Sequence, residues 1–116
     1  MKRSAKVLII DDDRDLCFLL KNILQSKVED VNIATTLEEG KQILSSQKPD
    51  VIFLDNNLSD GQGVKHISQF KSIVPEAKII LISAMHNTKE KALEHGADAF
   101  VEKPIVLATI QQFFNT

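Results

Sequence analysis

The sequence predicts an α/β domain built on a doubly wound five-stranded parallel sheet, in strand order 2-1-3-4-5. Three observations carry this. Short apolar runs alternate with stretches whose apolar residues recur at helical spacing, the pattern of successive βαβ units. Three of the runs, Val7–Ile10, Val51–Leu54 and Ile79–Ile82, are apolar throughout, as strands covered by helices on both faces should be. The other two, about Val31–Ala34 and Ala99–Val101, are alternating or short, so they belong at the edges. Right-handed crossovers with those edges leave the order 2-1-3-4-5, in which winding reverses between strands one and three.

Each element has its own signals. A helix is expected from about Arg14 to Ser26, with Leu16, Leu20, Ile23 and Leu24 on one face. Asp13 suits the start of that helix. The second helix begins near Thr36, where Thr36 and Glu39 form a candidate capping box, and Lys48-Pro49 closes it. A polar loop from Asn56 to Gly63 leads to a short third helix carrying Val64, Ile67 and Phe70, and Pro75 marks the following turn. Asn87 and Glu90 are candidate caps of a fourth helix that stops at Gly96 and is anchored mainly by Leu93. A last helix holds Ile110, Phe113 and Phe114.

Composition narrows the function. The 116 residues suit one domain, spanning 1–116, and 43% apolar with 26% charged residues is a globular balance. A formal net charge of -2 offers no basic field for nucleic acid or anionic lipid. No apolar run approaches the roughly 18 residues of a membrane span, and the apolar stretch after the basic start is too short for a secretory signal. The single cysteine, Cys17, cannot form an internal disulfide. It reads as a small buried helix residue in a protein of the reducing cytoplasm.

In such a sheet, ligands bind beyond the carboxyl ends of the strands at the reversal of winding. Strand one delivers Asp11 and Asp12 there, strand three Asp55, strand four Ser83 and strand five Lys103. Three clustered carboxylates repel one another unless a cation neutralises them, and oxygen-only ligands favour a hard ion such as Mg²⁺. An aspartate can attack phosphorus to form an acyl phosphate. Phosphoryl transfer then needs an in-line oxygen and neutralised equatorial oxygens, which a metal, a lysine and a hydroxyl can supply.

These segments resemble the receiver domain of two-component response regulators, with the chemotaxis-regulator-like, flavodoxin-like (βα)5 fold. The matching stretches run in family order: Val7 to Asp13, Val51 to Asp55 with the Asn56–Gly63 loop, Leu81 to Ala84, and Gly96 to Pro104. The resemblance implies that Asp55 is the phosphoacceptor and that Lys103 pairs with it or with its phosphoryl group. It implies that Asp12 and Asp55 bind Mg²⁺ (or Mn²⁺) directly, Asp11 through water, and Asn57 through its backbone carbonyl. It implies a cis Lys103-Pro104 bond, and two switch residues: Ser83, which moves toward the phosphoryl group, and Phe100, which turns inward. Ser59 departs from the proline usual in the family, which should loosen the loop modestly. Gly61 and Gly63 suit a tight loop rather than a dinucleotide fingerprint. His66, His86 and His95 read as surface histidines.

The expected function is a bacterial phosphorelay switch, a phosphoprotein rather than an enzyme. Its partners would be a sensor histidine kinase or a phosphotransfer protein, and an output domain or protein meeting the face of helix four, strand five and helix five. A homodimer is a further expectation. The chain would be a stand-alone receiver or the receiver part of a longer protein. Two rivals remain at this point. A haloacid-dehalogenase-like phosphatase would want a second aspartate where Asn57 stands. A pseudo-receiver binding module would have lost an acidic or lysine position, and none is lost.

Overall fold

A computed structural model describes residues 5–114. Five strands, β1 (Lys6–Ile10), β2 (Asp30–Ala34), β3 (Val51–Asp55), β4 (Lys78–Ser83) and β5 (Ala99–Glu102), form one sheet. All its pairings are parallel, in the order β2-β1-β3-β4-β5. The helices are α1 (Arg14–Leu24), α2 (Leu37–Gln47), α3 (Ile67–Ile73, entered through a 3₁₀ turn at Gly63–His66), α4 (Thr88–Glu94) and α5 (Leu107–Gln112).

The sheet is the partition between two cores, because successive side chains of a strand point to opposite faces. Leu8, Ile10, Ile52, Leu54, Ile79 and Leu81 face α2, α3 and α4, meeting Leu44, Phe70 and Ala92. Val7, Ile9, Phe53, Ile80 and Ile82 face α1 and α5, meeting Leu20, Leu24 and Ile110. Phe53 lies 6.3 Å, ring centre to ring centre, from both Phe113 and Phe114, which tie the end of the chain to the middle strand. Continuous apolar runs are therefore what the central strands require, as the sequence reading expected.

Helix ends follow local chemistry. Asp13 caps α1 by accepting the Leu16 amide, and the helix closes at Leu24, two residues earlier than expected. Thr36 Oγ1 accepts the Glu39 amide at 3.1 Å, half of the expected capping box. The other half reaches one residue further back, since Glu39 accepts from the Thr35 amide at 2.8 Å. The carboxylate of Asp60 also caps this helix, accepting the Leu37 and Glu38 amides at 2.9 and 3.1 Å. At its far end Lys48 takes a left-handed conformation (φ 47°) just before Pro49.

Three expectations need correction. The loop after β3 is not wholly irregular: Asn57–Leu58 pairs with Gly61–Gln62 in a two-residue antiparallel ladder, too short to leave an alternating pattern. At α4, Asn87 adopts helical angles and its side chain caps nothing. Nor is Leu93 the anchor; it is 47% exposed, and the helix buries Thr88 and Ala92 instead. Those two lie four residues apart and share a face, whereas position 93 is rotated about 100° further on. Gly96, at φ 104°, ends the helix as expected.

Lys71 joins this end of α3 to the sheet. Its ammonium donates to the Asp98 carboxylate and to the Ala77 carbonyl, both at 2.7 Å, while Asp98 also accepts the Ile79 amide at 2.8 Å. Burial alone would raise the Asp98 pKa, but Lys71 and the Ile79 amide outweigh it and hold that carboxyl below its usual value.

Candidate functional site

The sheet places its functional groups by carrying the ladder one residue past each strand. The Asp11 amide donates to the Ala34 carbonyl, the Asn56 amide to Ile82, and the Lys103 amide to Ser83. Because the strands are parallel and in register, Asp11, Asp55, Ser83 and Lys103 all reach the same carboxyl edge. The sequence reading put them there from strand ends alone.

Among the described residues, the buried polar and charged side chains are Asp11, Asp55, Ser83 and Thr88. Lys103 Nζ lies 3.1 Å from Asp55 Oδ1 and 3.5 Å from Asp11 Oδ2. Asp11 Oδ1 accepts the Asp13 amide at 2.9 Å, yet Asp11 Oδ2 is buried without any hydrogen-bond partner. Asp12 is exposed, but Asp11, Asp12 and Asp55 each offer a carboxylate oxygen within 4.8 Å of the others.

Electrostatics follow from that crowding. Burial, then the Asp11 charge, pushes the Asp55 pKa up to about 6, against the pull of Lys103 and the Asn57 amide. Burial also raises Asp11, opposed by the Asp13 amide and Lys103. For Lys103, burial alone would favour the neutral amine, but Asp11 and Asp55 together overcome it and raise its pKa. Three carboxylates faced by one ammonium leave a net charge of -2. A buried carboxylate oxygen with no hydrogen bond and only a long ion pair to Lys103, beside two further carboxylates, fits a divalent cation.

The remaining expected residues are placed as follows. Asn57 sits in the two-residue ladder, exposed, its backbone amide favouring the ionised Asp55 carboxylate. Ser83 Oγ accepts the Met85 amide at 3.0 Å and faces Thr88 Oγ1 at 3.5 Å. Phe100 is half-buried against the core beneath α2, α3 and α4. The Lys103-Pro104 bond is cis. Cys17 is buried, its thiol on the Asp11 carbonyl at 3.2 Å, and burial and then the nearby aspartates push its pKa up to about 11. This is an inert packing thiol. His66, His86 and His95 are outside the acidic cluster; His86 meets Glu102 on the surface at 2.7 Å.

Sequence reasoning missed the part that three residues play here, reading Gly63 only as suited to a tight loop. Asn56 accepts the Val64 amide on its side chain at 3.0 Å and so starts the 3₁₀ turn. Gly63 lies so close to the strand that a Cβ would run into the Asp55 carbonyl oxygen. Thr88 is the third. The groove these elements enclose beside Asp55, about 580 Å³, runs between the loop after β3 and the first turns of α4. It is lined by Asn57, Gln62, Ser83, Met85, Thr88 and Lys103 among others.

An acidic pocket with one lysine and one hydroxyl, at the winding reversal of a five-stranded parallel sheet, matches a known family. The family model of the response regulator receiver domain matches residues 7–115. The chain belongs to that family. This receiver is 34% identical over 111 residues to the KDP operon transcriptional regulatory protein KdpE of Escherichia coli, covering 92% of this chain and 48% of that protein. It is 30% identical over 115 residues to the chemotaxis protein CheY of Thermotoga maritima, covering 97% and 96% of the two. Its fold superposes with a TM-score of 0.87 on a Burkholderia pseudomallei response regulator, at 23% identity, over 97% of this chain and 68% of the other. That crystal structure carries a phosphorylated aspartic acid and a calcium ion. The receiver thus spans about half the length of KdpE and nearly all of CheY. It is a signalling domain of two-component systems, and the phosphatase reading falls away. No helix of the described residues is long and apolar enough to cross a membrane.

Proposed function

We propose that this receiver accepts a phosphoryl group on Asp55. The observation that carries the assignment is that Asp55 is buried, paired with Lys103 at 3.1 Å, and ringed by Asp11 and Asp12. A carboxylate oxygen of Asp55 attacks phosphorus and forms the O–P bond, while the bond from phosphorus to the donor breaks and its electron pair leaves with the donor. Lys103 stabilises the negative charge that the added group brings to the pocket. Ser83 supplies the one hydroxyl on the strand beside Asp55 that could donate to a phosphoryl oxygen. Mg²⁺, or Mn²⁺ in its place, would be held by Asp12, Asp55 and the Asn57 carbonyl, with Asp11 acting through water. Bound there, the cation would neutralise the carboxylates and the equatorial phosphoryl oxygens.

The donor is a sensor histidine kinase or a phosphotransfer protein. The group stays on the receiver itself, so the domain is a self-modifying switch rather than an enzyme acting on a separate substrate. Output leaves through the face of α4, β5 and α5, where α4 is held by only two buried residues. Phe100, on β5 and half-buried, would report the state of the pocket to that face; its pairing with Leu81 on β4 supports this reading. Incubation with radiolabelled acetyl phosphate and Mg²⁺ should label the wild type and leave Asp55→Asn unlabelled. Stable labelling of Asp55→Asn at a carboxyl group would overturn the assignment.

A further inference from the structure

We infer that Thr88 is a positioning residue that holds Ser83 away from Asp55 and couples α4 to the phosphorylation state. The inference rests on the reading of Asp55 as phosphoacceptor. Thr88 is the buried polar side chain not yet given a role, and it sits in the first turn of α4 facing Ser83 across 3.5 Å. The Ser83 hydroxyl is otherwise engaged only as acceptor of the Met85 amide. A hydroxyl carries a single proton, so Ser83 cannot donate to Thr88 and to a phosphoryl oxygen at once. If Thr88 is the donor instead, Ser83 Oγ still leaves it on swinging toward Asp55. Either way the Ser83–Thr88 contact belongs to the state without a phosphoryl group.

The length of the contact matters. At 3.5 Å it is a weak hydrogen bond, easily exchanged for one to a charged oxygen, which is shorter and stronger. Thr88 and Ala92 are the residues that α4 buries, so losing the hydroxyl contact weakens the seat of one of these two. The same contact therefore acts on both ends: it opposes the movement of Ser83, and it loosens α4 when that movement occurs.

The test uses beryllofluoride with Mg²⁺ as the phosphoryl mimic, with binding read by ¹⁹F NMR or calorimetry and folding checked by cooperative thermal melts. Thr88→Val keeps the shape and removes the hydroxyl; it should bind the mimic about threefold or more tighter than wild type. Thr88→Ser restores a hydroxyl and should return to within about twofold of wild type. In a Ser83→Ala background, Thr88→Val should give no gain, because the group it releases is gone. Equal binding by wild type and Thr88→Val, weaker binding by Thr88→Val, or an equal gain without Ser83 would each overturn the inference while leaving Asp55 as acceptor. If the wild type fails to bind the mimic, the acceptor reading falls and this inference falls with it.

Discussion

At the scale of single residues, the pocket is a place where charge is gathered at a cost in stability. Asp55 carries a pKa near 6 against an ordinary 3.8, with burial as the main cause. At pH 8 in a chelator its ionised form opposes folding by about 3 kcal/mol, at about 1.4 kcal/mol per pKa unit. Asp55→Asn removes that charge, loses the ion pair with Lys103 and weakens the interaction with the Asn57 amide. Urea unfolding at pH 8 in EDTA should therefore show the variant more stable by about 1–3 kcal/mol; a less stable variant would show that the pair with Lys103 dominates. Gly63→Ala should act the other way, since its Cβ meets the Asp55 carbonyl and the Leu54 side chain. A loss of about 2 kcal/mol or more in the same melt is expected. The sequence made Asp11, Asp55, Ser83 and Lys103 readable because each follows an apolar strand. Thr88 and Asn56 escaped it for a physical reason: their roles are single hydrogen bonds to groups five and eight positions away, which no periodicity encodes.

At the scale of elements, what was legible is what burial period writes into sequence. Strands covered on both faces and helices with one apolar stripe announce themselves; elements held by one or two contacts do not. Hence β1, β3 and β4 were placed within a residue, while α4 was found but its buried face misassigned to Leu93. The link between Asp60 and α2 is invisible for a related reason, since it joins residues more than twenty positions apart. Asp60 caps two amides at the helix N-terminus, where negative charge is favoured, and the Leu37 and Glu38 amides in turn hold its carboxyl below the ordinary value. Asp60→Ala should cost about 1 kcal/mol, within the usual range for a lost cap. Amide exchange in the first turn of α2 should rise with it, and exchange in β3 should follow only the global change. Unchanged exchange at Leu37 and Glu38 would mean that Thr36 and Glu39 cap the helix unaided.

At the scale of the whole molecule, two aspartates bend the stability curve in opposite senses. The Asp55 pKa is raised on folding, so its contribution is fully favourable below about 3.8 and is lost as pH climbs through about 6. Asp98 is lowered by Lys71 and the Ile79 amide against the effect of burial, so its contribution is present above the unfolded value and is lost as pH falls through its lower folded value. Together they place the optimum of the metal-free protein on the acid side of neutrality, and denaturation midpoints in EDTA should rise as pH is lowered from 8 to about 5. If Mg²⁺ is held by the ionised carboxylates as proposed, and not by the unfolded chain, saturating Mg²⁺ should lift the midpoints most at pH 8 and least at pH 5, flattening the curve. Asp98→Asn should cost about 1 kcal/mol at pH 7, a charged hydrogen bond discounted for a carboxylate side chain that is 40% exposed. It should leave the slope between pH 5 and 8 unchanged, because Asp98 is ionised throughout that window. Asp55→Asn, in contrast, should reduce that slope in EDTA, leaving the part that comes from Asp11, the other buried carboxyl raised by the same pocket; an undiminished slope would show that Asp55 is not its source.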